Sequence, residues 1–223
     1  MANKDTASRI FSDFMRERGF PSVGAKSTVA TNGVRIIVGG DLGCDDADGQ
    51  ILTVMQAMPR EQDARNGLAA LIVLFPATPE LTECSFEGQM WDRLQALHDR
   101  DSADFVWDWR ISSDPSSANF GVSIGGAGFH VAGLHPGARR IARRAPMAAI
   151  VFDPHAQFRA LKSVGTSAKL RHAVRRRDVA IQGGINPMPA EKHAASVARH
   201  NSRRLTRADW AYSLQAGQGV CNV

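Results

Sequence analysis

The segment FGVSIGGAGFHVAGL, residues 120–134, has the clearest strand signal in the chain. Two apolar runs, 120–125 and 129–134, lie on either side of a GGAG segment. Glycine tolerates the positive backbone angles that tight turns between antiparallel strands require. The sequence therefore predicts an antiparallel hairpin here, and the remaining elements are placed around it.

Further strands and helices follow from the spacing of apolar residues. We predict strands at 34–40, 69–75 and 148–152, and helices at 5–18, 50–58, 86–98 and 167–178. Asp153 and Pro154 are predicted to be the N-cap and first-turn proline of a helix that continues through HAQFRALKS. Strands and helices alternate without regular βαβ spacing. We expect one α+β domain over residues 1–223, with a mixed or antiparallel sheet flanked by helices and an irregular tail at about 205–223.

The composition is that of a globular protein: 43% of the 223 residues are hydrophobic and 22% are charged. No apolar run approaches the ~20 residues that span a bilayer. The N-terminal MANKDTASR lacks the apolar core of a signal peptide, so we predict a cytoplasmic protein. The three cysteines show no C-x-x-C spacing, which argues against a disulfide framework and a structural zinc site.

Positive charge is concentrated in the C-terminal half, and the chain has a net charge of +5 and an isoelectric point of about 9.6. Nucleic acid and an anionic small ligand are both possible partners of the basic runs at 138–144, 171–178 and 198–204. A solvated helix face is an alternative for 171–178. Nucleic acid is disfavoured because no binding module is recognisable and the chain has one tyrosine for base stacking.

The stretch GFPSVGAKS at 19–27 resembles a phosphate-binding loop but lacks its spacing. A P-loop has lysine directly after its second glycine. Here Ala25 separates Gly24 from Lys26, and a helical pattern rather than a strand precedes the loop. A nucleotide site is therefore not predicted.

Two histidines lie at the ends of predicted strands. His135 follows the strand 129–134, and His155 follows Asp153-Pro154. His135 is followed by a proline–glycine turn and a cluster of arginines: Arg139, Arg140, Arg143 and Arg144. Histidines beside arginines indicate a metal-bearing cofactor with anionic groups, such as haem with its propionates. A hydrogen-bonded structural histidine is the alternative at each position.

Several blocks, in order along residues 20–204, resemble the YqcI/YcgG family. They are FPSVGAKS, LQALHDRD, SSDPSSANFGVSIGG, FHVAGLHPGARRIARR, AAIVFDPHAQFRAL, RRRD-x-x-I-QGGINPM and NSRR. This family usually has cysteine where this chain has Ser22, and usually ends on Trp-x-Cys-Pro-Phe where this chain reads DWAYSLQAGQGVCNV. These departures exclude a thiolate axial ligand at those positions. His135, His155 and His98 match family histidines, and we expect them in that order as the ligand of haem iron.

The resemblance implies haem-dependent N-hydroxylation of guanidino groups, as in characterised relatives from cycloserine and guanitoxin biosynthesis. We therefore expect haem b, O2 with electrons from a separate reductase, or peroxide, and arginine or an arginine-derived substrate. Arg139 and Arg144 are the expected propionate partners, and Asp114 and Glu87 are candidate carboxylates for the guanidinium. Asp114 alternatively only bends the SSDPSS loop. A non-catalytic haem carrier or sensor and a basic RNA-associated protein are the rival hypotheses.

Overall fold

The computed structural model describes residues 4–16, 33–65, 69–114, 117 and 119–157. The predictions made for 19–27, 167–178, 198–204 and 205–223 lie outside these residues. The described helices and strands, in chain order, are α1 (Lys4–Arg16), β1 (Val34–Val38), α2 (Asp48–Arg65), β2 (Ala70–Phe75), α3 (Glu83–Asp101), β3 (Val122–Ile124), β4 (Ala127–Leu134) and β5 (Ala148–Pro154), with a 3-10 turn at Ile141–Arg143.

The described strands form a five-stranded sheet in the order β1-β2-β5-β4-β3. Strands β1 and β2 are parallel, and the other neighbouring pairs are antiparallel. The α+β class with a mixed sheet, predicted from the sequence, is confirmed.

Apolar side chains fill both faces of the sheet. One core cluster packs α2 and α3 against one face of the sheet, to which Phe129 and Val131 of β4 contribute. The other joins α1 to the opposite face, including Leu134 and Ala149. Successive side chains of a strand point to opposite faces, so β4 contributes to both layers.

The predicted hairpin is confirmed. Val122 pairs with Phe129 and Ile124 with Ala127, so the loop between the strands has two residues, Gly125 and Gly126. Their φ angles of +61° and +70° are those of a type I′ turn, which matches the twist of antiparallel strands.

The prediction that Asp153 and Pro154 begin a helix is wrong, because both belong to β5 and the described helical turn begins at His155. Strand β2 pairs with β5 only as far as Phe152, so among the described strands β4 alone pairs with residue 154. A proline, which lacks an N–H group, is tolerated where one side of a strand has no partner.

Helix α3 begins earlier than its apolar pattern predicts, at Glu83 instead of residue 86. Thr82 caps it by accepting a hydrogen bond from the backbone N–H of Ser85 at 3.1 Å. This extra turn brings Glu83 into the region where β4 ends.

Candidate functional site

The candidate histidines lie at separate places in the fold. His135 directly follows β4, whereas the ring of His155 stacks on His130, near the middle of that strand. His130 and His135 are five residues apart, which corresponds to about 17 Å of strand. The structure therefore does not bring His135 and His155 into one site.

His135 has the environment of a neutral imidazole. It is 6% exposed, and its ring stacks on Phe86 of α3 with centroids 4.4 Å apart. Burial lowers the pKa of His135, although the carboxylates of Glu83 and Glu80 act in the opposite direction. Its Nδ1 atom is buried and has no hydrogen-bond partner among the described residues. An unsatisfied buried nitrogen of this kind indicates a missing partner.

A shallow pocket lies beside His135, where the start of α3 meets the loop after β4. It has a volume of about 290 Å³ and is lined by Thr82, Glu83, Cys84, Gly137 and Arg139. A Cβ atom built on Gly137 would lie 3.6 Å from His135 Nδ1, so this nitrogen faces the wall of the pocket. The same Cβ would lie 2.9 Å from the carbonyl oxygen of Leu81, so a residue with a side chain would push the two segments apart.

Glu83 and Arg139 form an ion pair in this pocket. Glu83 Oε1 accepts a hydrogen bond from the backbone N–H of Arg139 at 2.9 Å, and Glu83 Oε2 lies 3.4 Å from Arg139 Nε. The side chain of Glu83 is 16% exposed and that of Arg139 is 83% exposed. The carboxylate is therefore held by the main chain, while the guanidinium extends into solvent.

His155, unlike His135, is closely surrounded by other residues. It is buried, and its ring lies parallel to that of His130 with centroids 3.5 Å apart. A Cβ built on Gly121 would lie 2.8 Å from His155 Nε2. The main chain at Gly121 therefore passes close to this nitrogen, and a side chain at residue 121 would collide with it.

His98 lies near the end of α3, buried against the hairpin. Its Nδ1 is 3.4 Å from the carbonyl oxygen of Ser123, and its ring meets Trp107 edge-on with centroids 5.1 Å apart. A carbonyl contact at one ring nitrogen is typical of metal-ligating histidines. His98 has such a contact.

The other predicted site residues are spread over the fold. Arg144 lies after the 3-10 turn and donates from Nε to the carbonyl oxygen of Ala138 at 3.2 Å. Asp114 is exposed in the loop whose Ser112 forms a bridge with Phe120. Glu87 is 1% exposed, one helical turn after Glu83. Arg139 is the predicted residue that shares the pocket beside His135.

The residues around His135 fit an axial imidazole, since the ring is buried, neutral and unsatisfied at one nitrogen. The pocket, at about 290 Å³, is slightly smaller than the ~300–1,000 Å³ that is typical of small-molecule sites. The described residues therefore do not enclose a group as large as a macrocycle by themselves. No group of three or more metal-ligating side chains occurs among the described residues.

Sequence reasoning missed Glu83, because the helix was predicted to begin at residue 86. The signal was present in the segment LTECS, where Thr82 is a typical N-cap and Glu83 a typical first-turn acid. Nothing in the sequence could have paired Glu83 with Arg139, which is 56 residues away.

The fold and the site define an α+β protein with a mixed sheet and a buried imidazole beside a small charged pocket. The chain belongs to the YqcI/YcgG family, whose model matches residues 11–199. Neither the curated proteins nor the solved structures contain a match to this chain. None of the helices in the described residues is long and apolar enough to cross a membrane.

Proposed function

We propose that this protein is a cytoplasmic, haem-dependent monooxygenase that hydroxylates a guanidine-type nitrogen of arginine or of an arginine-derived small molecule. The resemblance of its sequence blocks to haem-dependent N-hydroxylases supports this activity, and membership of the YqcI/YcgG family is consistent with it. The structural observation in its favour is the buried His135 imidazole, whose Nδ1 lacks a partner among the described residues.

His135 is the proposed axial ligand. Its lowered pKa keeps the imidazole neutral, which is the form that binds a metal. Stacking on Phe86 holds the plane of the ring. Both features fix the ligand before the cofactor binds, so that the side chain loses little conformational entropy on binding.

Arg139 and Arg144 are the proposed partners of the haem propionates. Both are exposed and lie within ten residues of His135. Haem would supply a redox-active iron for oxygen transfer. In such a reaction one oxygen atom of O2 would be inserted at the N–H nitrogen and the other would leave as water, with two electrons from a separate reductase and two protons from solvent. Peroxide would supply both the oxygen atom and the oxidising equivalents.

The test begins with titration of haemin into the purified full-length chain. We expect stoichiometric uptake and a ferric visible spectrum of nitrogenous rather than thiolate type. His135→Ala should lose this spectrum, whereas His155→Ala should retain it. Arg144→Ala should weaken haem affinity without abolishing it, because a charge-assisted bond contributes about 1.5–3 kcal/mol.

Turnover is then measured with arginine, O2 and a reductant, by mass spectrometry of the hydroxylated product. A protein that takes up no haem would contradict the proposal. Haem uptake without turnover of any guanidino compound would instead support a haem carrier or sensor. Retention of the spectrum by His135→Ala and its loss in His155→Ala would move the ligand to His155.

A further inference from the structure

We infer that the arginine-rich turn at 136–146, together with the groove between this turn and α1, is the docking surface for a small acidic protein that carries single electrons. The inference rests on the proposed function, in which a separate reductase supplies the electrons. Docking is measured without turnover, so the two proposals are tested separately.

The turn is hydrogen-bonded to the main chain of His135, the proposed iron ligand. The backbone N–H of His135 donates to the carbonyl oxygen of Arg143 at 3.1 Å. The carbonyl oxygen of His135 accepts from the backbone N–H groups of Ala138 and Ala145, at 3.3 and 3.4 Å. A protein bound to the turn therefore comes close to the segment that carries the ligand.

The turn is strongly basic. Residues 136–146 include four arginines and no acidic residue. The side chains of Arg139 and Arg144 are exposed, and that of Arg143 is partly exposed. Glu83 pairs with Arg139, but it offsets only one of the four guanidinium groups. The turn therefore attracts an acidic partner.

Apolar side chains are exposed on the same surface. The described residues expose four large apolar side chains, and two of them, Ile141 in the turn and Ile10 in α1, lie here. Ile141 is 47% exposed. A groove of about 500 Å³ between α1 and the turn is lined by Ile10, Asp13, Phe14, Arg144, Ala145 and Pro146. Apolar centres within a polar rim are typical of protein interfaces.

The acidic residue in the lining of this groove does not oppose an acidic partner. Asp13 Oδ1 lies 3.7 Å from Arg16 Nη1, one turn further along α1. The two charges compensate each other, so the positive charge of the arginine-rich turn dominates this surface.

The surface fits a protein better than a nucleic acid. Single-stranded nucleic acid is bound by aromatic side chains on which its bases stack. The large apolar side chains exposed on this surface are Ile10 and Ile141, which offer no such platform. Small interfaces are typical of electron-transfer complexes, and charge accelerates their association. A short-lived complex also lets the oxidised carrier leave after each transfer.

The electrons balance over two docking events. Each event delivers one electron and leaves the carrier oxidised by one electron. Two such electrons and two protons from solvent allow one oxygen atom of O2 to enter the N–H bond and the other to leave as water.

The experiment measures binding of an acidic two-iron ferredoxin to the full-length chain, after titration with haemin, by calorimetry. Cytochrome c, a small basic electron carrier, is the matched probe and should bind at least about tenfold more weakly. In Ile141→Asp the dissociation constant of ferredoxin should rise about tenfold or more, because a negative charge replaces the apolar centre. Val106→Asp is the control variant. Val106 is exposed in the loop after α3, so its replacement should leave this constant unchanged.

Arg143→Glu tests the contribution of charge. Arg139 and Arg144 are unsuitable because they are the proposed propionate partners; if both bind propionates, Arg140 and Arg143 keep the turn positive. In Arg143→Glu the association rate of ferredoxin should fall about three- to tenfold at low salt and much less at about 300 mM salt, because ions screen the charge. Arg143→Lys keeps the charge and should associate at the wild-type rate.

An unchanged dissociation constant in Ile141→Asp would overturn the inference, and so would tighter binding of cytochrome c or of polyuridylate than of ferredoxin. Self-association that Ile141→Asp abolishes, in a chain that does not bind ferredoxin, would also overturn it and make the surface a contact between copies. Circular dichroism checks the fold of each variant. Should Ile141→Asp fail to fold, the association rate of Arg143→Glu decides alone.

The two proposals fail in different ways. Ferredoxin binding that depends on Ile141, in a protein that hydroxylates no guanidino compound, would leave the docking surface standing and remove the oxygenase. If the oxygenase holds, Ile141→Asp should lower turnover driven by ferredoxin and leave turnover driven by peroxide unchanged. Equal turnover of Ile141→Asp and wild type with ferredoxin would keep the oxygenase and place electron entry elsewhere.

Discussion

At the scale of single residues, the side chain of Arg93 shows how a buried charge is accommodated. Its Nη1 atom donates to both carboxylate oxygens of Asp48, at 2.8 and 2.9 Å, and its Nε and Nη2 atoms donate to the carbonyl oxygen of Leu42. Both charged side chains are almost fully buried. The ion pair connects α3 to the first residue of α2, and the bonds to Leu42 connect α3 to the loop before α2.

Removing one partner of this pair should be costly. We expect Asp48→Ala to lower the free energy of unfolding by about 3–5 kcal/mol, because the Arg93 charge is then buried without its counter-ion. Asp45→Ala removes the exposed partner of Arg100 from the loop before α2 and should lower the free energy of unfolding far less. Urea denaturation followed by circular dichroism measures both. Equal losses in the two variants would contradict this account.

At the scale of elements, the hairpin between β3 and β4 also contacts α2. Gly125 and Gly126 both have positive φ angles, but their surroundings differ. A Cβ on Gly125 would lie 2.9 Å from the Cα of Gln56, whereas one on Gly126 would meet nothing closer than the Val106 carbonyl oxygen at 3.8 Å. One glycine therefore serves the turn and the packing of a helix, and the other serves the turn alone.

This difference predicts unequal effects of alanine. Gly126→Ala should destabilise the protein by roughly 1–2 kcal/mol, the cost of a left-handed conformation in a residue with a side chain. Gly125→Ala should cost distinctly more, because its new methyl group also pushes against the backbone of α2. Thermal and urea denaturation of both variants give the comparison, and equal destabilisation would show that the contact with Gln56 is unimportant.

Local patterns were sufficient to predict this hairpin, since its glycines and its strands are adjacent in the sequence. Local patterns could not predict that β5 extends to Pro154. A proline can occupy this strand position only because β2 stops pairing with β5 at Phe152. Apolar spacing also missed the first turn of α3, because Thr82 and Glu83 are polar. Element boundaries set by neighbouring strands or by caps were therefore the part of the fold that the apolar pattern could not locate.

At the scale of the whole molecule, α3 runs between two candidate regions. Phe86, near its start, stacks on His135, and His98, near its end, contacts the hairpin. Residue types and their order indicated which histidines are candidate ligands of haem iron. They could not predict that strand β4 separates His135 from His155, nor that Arg139 pairs with Glu83, because these relations arise only when distant segments meet.

Asp153 lies in β5, and His135 directly follows β4. The two residues make the stability of the folded protein depend on pH in opposite directions. Asp153 lies opposite His130 in the register of β4 and β5. Burial raises the pKa of Asp153 from 3.8 to about 7. The folded protein then keeps this proton over a pH range in which the unfolded chain has lost it, so stability falls as pH rises from about 4 to about 7. Burial lowers the pKa of His135 below 6.5, so its contribution is lost as pH falls below that value.

We therefore expect Asp153→Asn to be more stable than the wild type at about pH 8 and similar to it at about pH 3, since the amide stays neutral throughout. The gain at about pH 8 has an upper limit of about 4 kcal/mol, set by the size of the pKa displacement. His135→Phe keeps the ring stack on Phe86, and it should lose less stability than the wild type between about pH 7.5 and 5.5. Urea midpoints at these pH values test both variants. A constant difference between Asp153→Asn and the wild type at every pH would mean that Asp153 ionises in the folded protein as it does in the unfolded chain.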